Sequence, residues 1–354
     1  MLLLGACQRE PIRVGGLFGL SGRNFDLGVS GRDGATLAVE DVNAAGGVSG
    51  RRLELVVRDD AQDPDTARRA IRELVDSGVV VVVGPMTSGM AEAVVPIANE
   101  THVLLVSPTT SAASLRGLDD WLVTLFPSVE QSAGTLVTRI TGADGVLRLA
   151  VIHDLANRSF SGSWLEHVTR RVQASGGSVA SVPFTSGPEA RLGDVAERAL
   201  SGSPGGVLVV AGALDSAAIC QQIRKRDGKV RVYGTDWGFT AAALEHGGRT
   251  LEGAVFTYTV DPERHTQAFD RFVSSYRTRF SRPPDFAAAF AYESVQVAAA
   301  ALRTDPSRSG VRTAILRTGH FPGLQEDIRI DRFGDAGRRQ FLMTVRDGRI
   351  VTLE

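Results

Sequence analysis

Cysteine is nearly absent from this chain. Cys7 and Cys220 are the only two in 354 residues, too few for a disulfide framework or a cysteine-based metal centre. Long apolar runs are missing too. None approaches the ~18 residues that a membrane-crossing helix needs. Neither sign of charge dominates: the formal net charge is −1, so nothing in the charge balance argues for a nucleic-acid or anionic-membrane partner. Lysine occurs only at Lys225 and Lys229, and the arginines are scattered rather than clustered, a compositional bias and not a patch. Catalytic templates are missing as well. There is no G-x-S-x-G elbow, H-E-x-x-H, phosphate-binding G-x-x-x-x-G-K-[ST] or Cys/His cluster at metal spacing, and the six histidines are dispersed. Gly15-Gly16-x-x-Gly19 is a partial dinucleotide-loop pattern. Asp59 and Asp60 sit side by side in an extended stretch, so their side chains point to opposite sides, a poor geometry for paired-carboxylate chemistry. No catalytic residue, metal ligand or cofactor is therefore expected.

What the sequence does contain is an alternation of short apolar runs with amphipathic stretches. Strands are expected at 12–18, 52–57, 79–83, 103–106, 147–152, 178–184, 206–211 and 230–233. Helices are expected at 28–45, from Asp63-Pro64 to Ser77-Gly78, and at 160–175, 188–200 and 215–227. Cys220, in Ala217-Ala218-Ile219-Cys220, reads as a buried helix residue. This β/α rhythm, repeated in each half, implies two doubly wound lobes with parallel sheets. After residue 255 the pattern changes to helices at 263–280, 285–303 and 308–317, then strand-like pieces at 325–330, 339–345 and 349–353.

Open parallel sheets bind ligands beyond the carboxyl ends of their strands, so the loops after strands carry the candidate site. Gly84-Pro85-Met86-Thr87-Ser88-Gly89 and Ser107-Pro108-Thr109-Thr110-Ser111 are rich in hydroxyls and lead into helices. Hydroxyls and free N–H groups at helix starts suit an anion such as a carboxylate, although simple N-capping uses the same residues. In the second half, Tyr233-Gly234-Thr235-Asp236-Trp237 offers a carboxylate for an ammonium group and an aromatic face, or else an Asx-turn with a packing ring. Asn157-Arg158-Ser159-Phe160 is placed to close the same pocket, with Arg158 either facing it or solvated.

These residues also carry a resemblance. Gly31–Asp60, with Val39-Glu40-Asp41-Val42-Asn43-Ala44-Ala45-Gly46-Gly47-Val48, is similar to type I periplasmic binding proteins of the leucine/isoleucine/valine-binding kind. The likeness runs on through Asp59-Asp60-Ala61-Gln62-Asp63-Pro64, Val83–Gly89, Val106-Ser107-Pro108 and Leu251-Glu252-Gly253, covering about residues 12–345. Such a protein has two α/β lobes joined by a three-strand hinge that closes on its ligand without chemistry. The resemblance implies a ligand carboxylate held at Ser88 and at Thr109, Thr110 and Ser111. It implies an ammonium held by Asp236; Met86, Phe160 and Trp237, from the loops read above, are expected to line the rest. It also implies three departures: the family's pocket aromatic falls at Leu27, a second-lobe tyrosine at Ala213, and its disulfide pair near Gln62 and Thr87. Met1–Cys7 resembles the end of a bacterial lipoprotein signal, with Cys7 the lipidated residue, though the basic n-region is missing and the apolar stretch is short.

The expectation is thus a lipid-anchored, extracytoplasmic solute-binding protein that delivers an amino acid or related small acid to the membrane permease of an ABC importer. Residues 1–7 would be the signal remnant, 12–126 with 257–335 one lobe, and 127–256 with 336–354 the other. The alternatives are a sensor of the same fold, taking an amide, urea or aromatic acid and controlling a regulatory partner, and a doubly wound enzyme.

Overall fold

The computed structural model describes residues 10–22 and 24–353; Cys7 and its signal-like neighbours lie outside them. The first lobe runs β1 (Ile12–Phe18), α1 (Phe25–Ala44), β2 (Leu53–Asp59), α2 (Pro64–Asp76), β3 (Val81–Val83), α3 (Ser88–Thr101), β4 (Leu104–Ser107) and β5 (Leu122–Thr124). Its five strands are parallel in the order β2-β1-β3-β4-β5. β3 and β4 are buried at every residue, as continuous β-branched and leucine runs require when helices cover both faces. α2 starts as expected, with the Asp63 carboxylate accepting the Thr66 N–H at 2.8 Å and Pro64 in the first turn.

The chain then crosses to α4 (Val129–Thr138), β6 (Arg148–Asp154), α5 (Arg158–Ala174), β7 (Ser178–Phe184), α6 (Leu192–Leu200), β8 (Gly206–Val210), α7 (Ala213–Arg226), β9 (Arg231–Gly234), α8 (Ala241–Gly247) and β10 (Val255–Tyr258). The parallel part of this sheet, β7-β6-β8-β9-β10, repeats the 2-1-3-4-5 order of the first lobe. Two copies of one topology therefore face each other, although no residue repeat betrays it. Cys220 is buried in α7, where loss of solvent pushes its thiol up to about 12.

A second crossing leads back to α9 (Gln267–Phe280), α10 (Phe286–Thr304), α11 (Arg308–Thr318), β11 (His320–Phe321), β12 (Ile328–Ile330) and β13 (Ala336–Gly337). α10 packs along α1 on the first lobe. A third crossing ends in β14 (Phe341–Arg346) and β15 (Arg349–Thr352). β14 joins β10 antiparallel and β15 pairs antiparallel with β14, so this sheet is parallel from β10 to its β7 edge and antiparallel at the other edge. The third crossing is pinned to the first lobe: the buried Arg338 guanidinium pairs with Glu293 of α10 at 2.8 Å and with Glu326 at 3.1 Å.

Several elements differ from expectation. The helix expected from 263 begins at Gln267, because the Thr266 hydroxyl caps the Phe269 N–H at 3.1 Å. The helix expected from 188 begins at Leu192, after a turn. β5, α4 and β10 were not anticipated; β5 and β10 are three- and four-residue strands too short to show a period. The division drawn at 256/257 falls inside β10, and that at 335/336 falls just before β13.

Candidate functional site

In both lobes the 2-1-3-4-5 order reverses direction beside the first strand, which opens a crevice at the carboxyl ends of the strands. On the first-lobe side the loops after β3 and β4 meet there. Gly84 turns the first of these loops with φ +117°, and a Cβ at that position would stand 2.1 Å from the Leu17 carbonyl oxygen, so only glycine fits. The Ser107 hydroxyl donates to the Pro85 carbonyl at 2.7 Å and accepts the Thr110 N–H at 3.1 Å. The Ser88 oxygen accepts the N–H groups of Ser111 and Ala112 at 3.3 and 3.2 Å. The two loops are thereby stitched into one wall.

That stitching sorts the expected anion ligands. Ser88 lines the crevice, and as an acceptor of two N–H groups it keeps its own proton to donate. Thr109 also lines it, but its hydroxyl proton goes to the Met86 carbonyl. The hydroxyls of Thr110 and Ser111 are buried without a partner among the described residues, and neither residue is on the crevice wall.

On the second-lobe side, the turn after β9 brings Asp236 and Trp237 to the crevice, and the turn after β6 brings Asn157 and Phe160. Phe160 meets Trp237 edge to face at 5.4 Å between ring centroids. Asp236 is only 2% exposed. Its Oδ1 accepts the Trp237 N–H at 3.0 Å, and its Oδ2 has no hydrogen-bond partner among the described residues. Burial without a counter-charge raises this carboxyl from an ordinary 3.8 to about 7.

Leu27, Phe126 and Phe286 complete the apolar lining. Leu27 was expected there. Phe126 and Phe286 were not: Phe126 follows β5 and Phe286 opens α10, so both come from chain crossings that no local motif marks. Arg158 is exposed and does not line the crevice. Ala213 is buried at the start of α7. Among the described residues, no group of three or more metal-ligating side chains is assembled.

Across the crevice mouth the lobes touch directly. The Gly89 N–H, in the first turn of α3, donates to Asn157 Oδ1 at 3.1 Å. The Ala113 N–H donates to the Ser163 hydroxyl at 3.2 Å. The Ser159 hydroxyl donates to the Glu92 carboxylate, which also accepts the Ser114 hydroxyl at 2.7 Å. At Gly212 the approach is so close that a Cβ would stand 1.9 Å from Asn24 Oδ1. With the lobes so apposed, the remaining cavity is about 20 Å³, room for roughly one water. A larger ligand therefore enters only when the lobes part.

The sequence pattern of the periplasmic binding protein family matches residues 11–349. This chain belongs to that family. Individual periplasmic binding proteins align over shorter stretches. A Leu/Ile/Val-binding protein of Rhizobium johnstonii is 37% identical over 125 residues, 35% of this chain and 34% of its own length. The Leu/Ile/Val-binding protein of Escherichia coli K12 is 29% identical over 146 residues, 41% of this chain and 40% of its own. The aligned region thus spans well under half of either relative. By shape the agreement is nearly complete. A leucine binding protein from Thermotoga maritima superposes with a TM-score of 0.89 over 97% of this chain and 98% of its own, at 22% identity. A branched-chain amino acid transporter substrate binding protein from Streptococcus pneumoniae, solved with isoleucine, gives 0.88 over 97% and 99%, also at 22% identity. At this identity the superpositions establish the two-lobed fold of a type I periplasmic binding protein. No helix among the described residues is long and apolar enough to cross a membrane.

Proposed function

We propose that this periplasmic binding protein captures a small α-amino acid between its lobes and presents it to the permease of an ABC importer, held at the outer face of the membrane by lipid on Cys7. The observation that carries the amino-acid reading is the buried, partnerless Oδ2 of Asp236. A buried carboxylate with no cation is costly, and a ligand ammonium would supply the missing charge. On the opposite wall, the free Ser88 proton and the first-turn N–H groups of α3 form a site of the type that binds a carboxylate. Met86, Phe126, Phe160, Trp237 and Phe286 would then enclose the side chain, while Thr109, Thr110 and Ser111 shape the loop behind Ser88. Hinge motion at the three crossings, with lobes 12–126 plus 257–335 and 127–256 plus 336–354, would open and close the crevice. Leu/Ile/Val-binding relatives support an aliphatic amino acid as the ligand.

One feature favours a second reading. A carboxyl with its pKa near 7 can donate as a neutral acid, and four aromatic rings line the crevice, a combination that suits a small aromatic carboxylate. A solute binding protein of Rhodopseudomonas palustris solved with benzoate has the same fold, with a TM-score of 0.88 at 17% identity. A thermal-shift screen of amino acids, amides, urea and aromatic acids separates the two. The cognate ligand at 100 times its Kd adds about 2.7 kcal/mol of stability. Stabilisation by α-amino acids is the expected result; stabilisation only by acids lacking an amine selects the second reading.

A further inference from the structure

Behind Phe286 lies a second, much larger cavity of about 650 Å³, within the size range of small-molecule sites. One side is formed by Leu244 of α8 and Ile350 of β15, and the other by Phe269 and Val273 of α9. Tyr258 and Phe286 are 8% and 2% exposed and form its inner wall; Phe286 also faces the crevice. The rim carries His265, Asp270, Arg277 and Asp285, of which only His265 and Asp270 form an ion pair among the described residues. His265 Nδ1 and Asp270 Oδ1 meet at 2.8 Å. Asp285 accepts the Ser30 hydroxyl at 2.8 Å and the Ala288 N–H at 3.0 Å. Arg277, exposed at the same rim, makes no side-chain hydrogen bond or ion pair among the described residues. The cavity therefore combines an apolar interior with one uncompensated guanidinium at its edge.

We propose that this cavity is an accessory binding site for an amphipathic monocarboxylate, whose apolar body lies between α8 and α9 and whose carboxylate meets Arg277. A neutral or cationic head group would leave the guanidinium unpaired, so the class is set by charge as well as by shape. An occupant touches elements of both lobes, and its binding favours their apposition.

Decanoate is a suitable probe, with decanol and decylamine as head-group controls, titrated by calorimetry into the full chain. Decanoate should bind, with decanol and decylamine at least tenfold weaker. Arg277→Gln should weaken decanoate about tenfold and abolish its advantage over decanol. Val273→Trp should fill the cavity and remove binding; Leu244→Trp does the same from the opposite wall if the first variant fails to fold, as circular dichroism would report. No decanoate binding, equal affinity for decanoate and decanol, or unchanged binding in a folded cavity-filled variant each overturns the proposal.

Discussion

The two walls of the crevice share a strand order but leave their polar groups in opposite states. On the first-lobe wall the hydroxyls of Ser107, Ser88 and Thr109 tie one loop to the other, so the wall is held by its own hydrogen bonds. On the second-lobe wall the Asp236 carboxyl has one oxygen bonded to the backbone beside it and one without a partner among the described residues. A preorganised wall costs little to bind against, because its groups are already ordered. A frustrated wall lowers the stability of the protein alone and returns that deficit when the right charge arrives. The contrast assigns shape to one lobe and charge selection to the other.

The largest test breaks the charged wall. Asp236→Asn should reduce α-amino acid affinity at least 100-fold by calorimetry, about 3 kcal/mol. The same substitution should raise stability at pH 8. The folded carboxyl holds its proton to about 7 and the unfolded one only to about 3.8, so stability relative to the variant is full below pH 4 and is lost as pH rises through 7. Urea melts of both proteins from pH 4 to 8 would show the gap, on the order of a few kcal/mol at its widest. An unchanged affinity would mean that the unpaired oxygen is not the ammonium site. A variant less stable at pH 8 would mean that the carboxyl has a partner after all.

The stitched wall should respond in the opposite manner. Ser88→Ala leaves the Ser111 and Ala112 N–H groups buried without an acceptor, which should cost about 1–3 kcal/mol of stability, measured by urea unfolding, as well as affinity. A loss of affinity with no loss of stability would make Ser88 a ligand contact only and weaken the distinction between the walls. The smallest effect concerns the contacts that join them. Asn157→Ala removes the acceptor of the Gly89 N–H and should quicken ligand release by a few-fold in stopped-flow measurements, about 1 kcal/mol. Slower release would identify Asn157 as a competitor for the ligand rather than a latch.

Much of this was legible from residues alone. Asp63-Pro64 announced α2, the all-valine run announced β3, and the loops after the strands pointed to Met86, Ser88, Thr109, Phe160, Asp236 and Trp237, all of which line the crevice. Thr110 and Ser111 looked equivalent to Thr109, because three adjacent hydroxyls are indistinguishable until the backbone sets which one faces the gap. Phe126 and Phe286 were missed because they stand 160 positions apart and meet only through folding, their rings 5.5 Å from each other. The repeated topology was hidden for a similar reason: a strand order is a relation among distant segments that many unrelated sequences satisfy.

By itself, the sequence determined the β/α rhythm, the absence of metal- and disulfide-forming cysteine patterns, and the residue types available at the strand ends. Those follow from local periodicity, capping and composition, which need no partner to be read. Only the tertiary structure decided that, among the described residues, Asp236 is left without a counter-charge and Arg277 stands unpaired over an apolar cavity, and that the Ser88 oxygen takes two N–H groups. Burial and hydrogen-bond satisfaction depend on which distant groups the fold brings near, and they set the energetic state of each polar side chain.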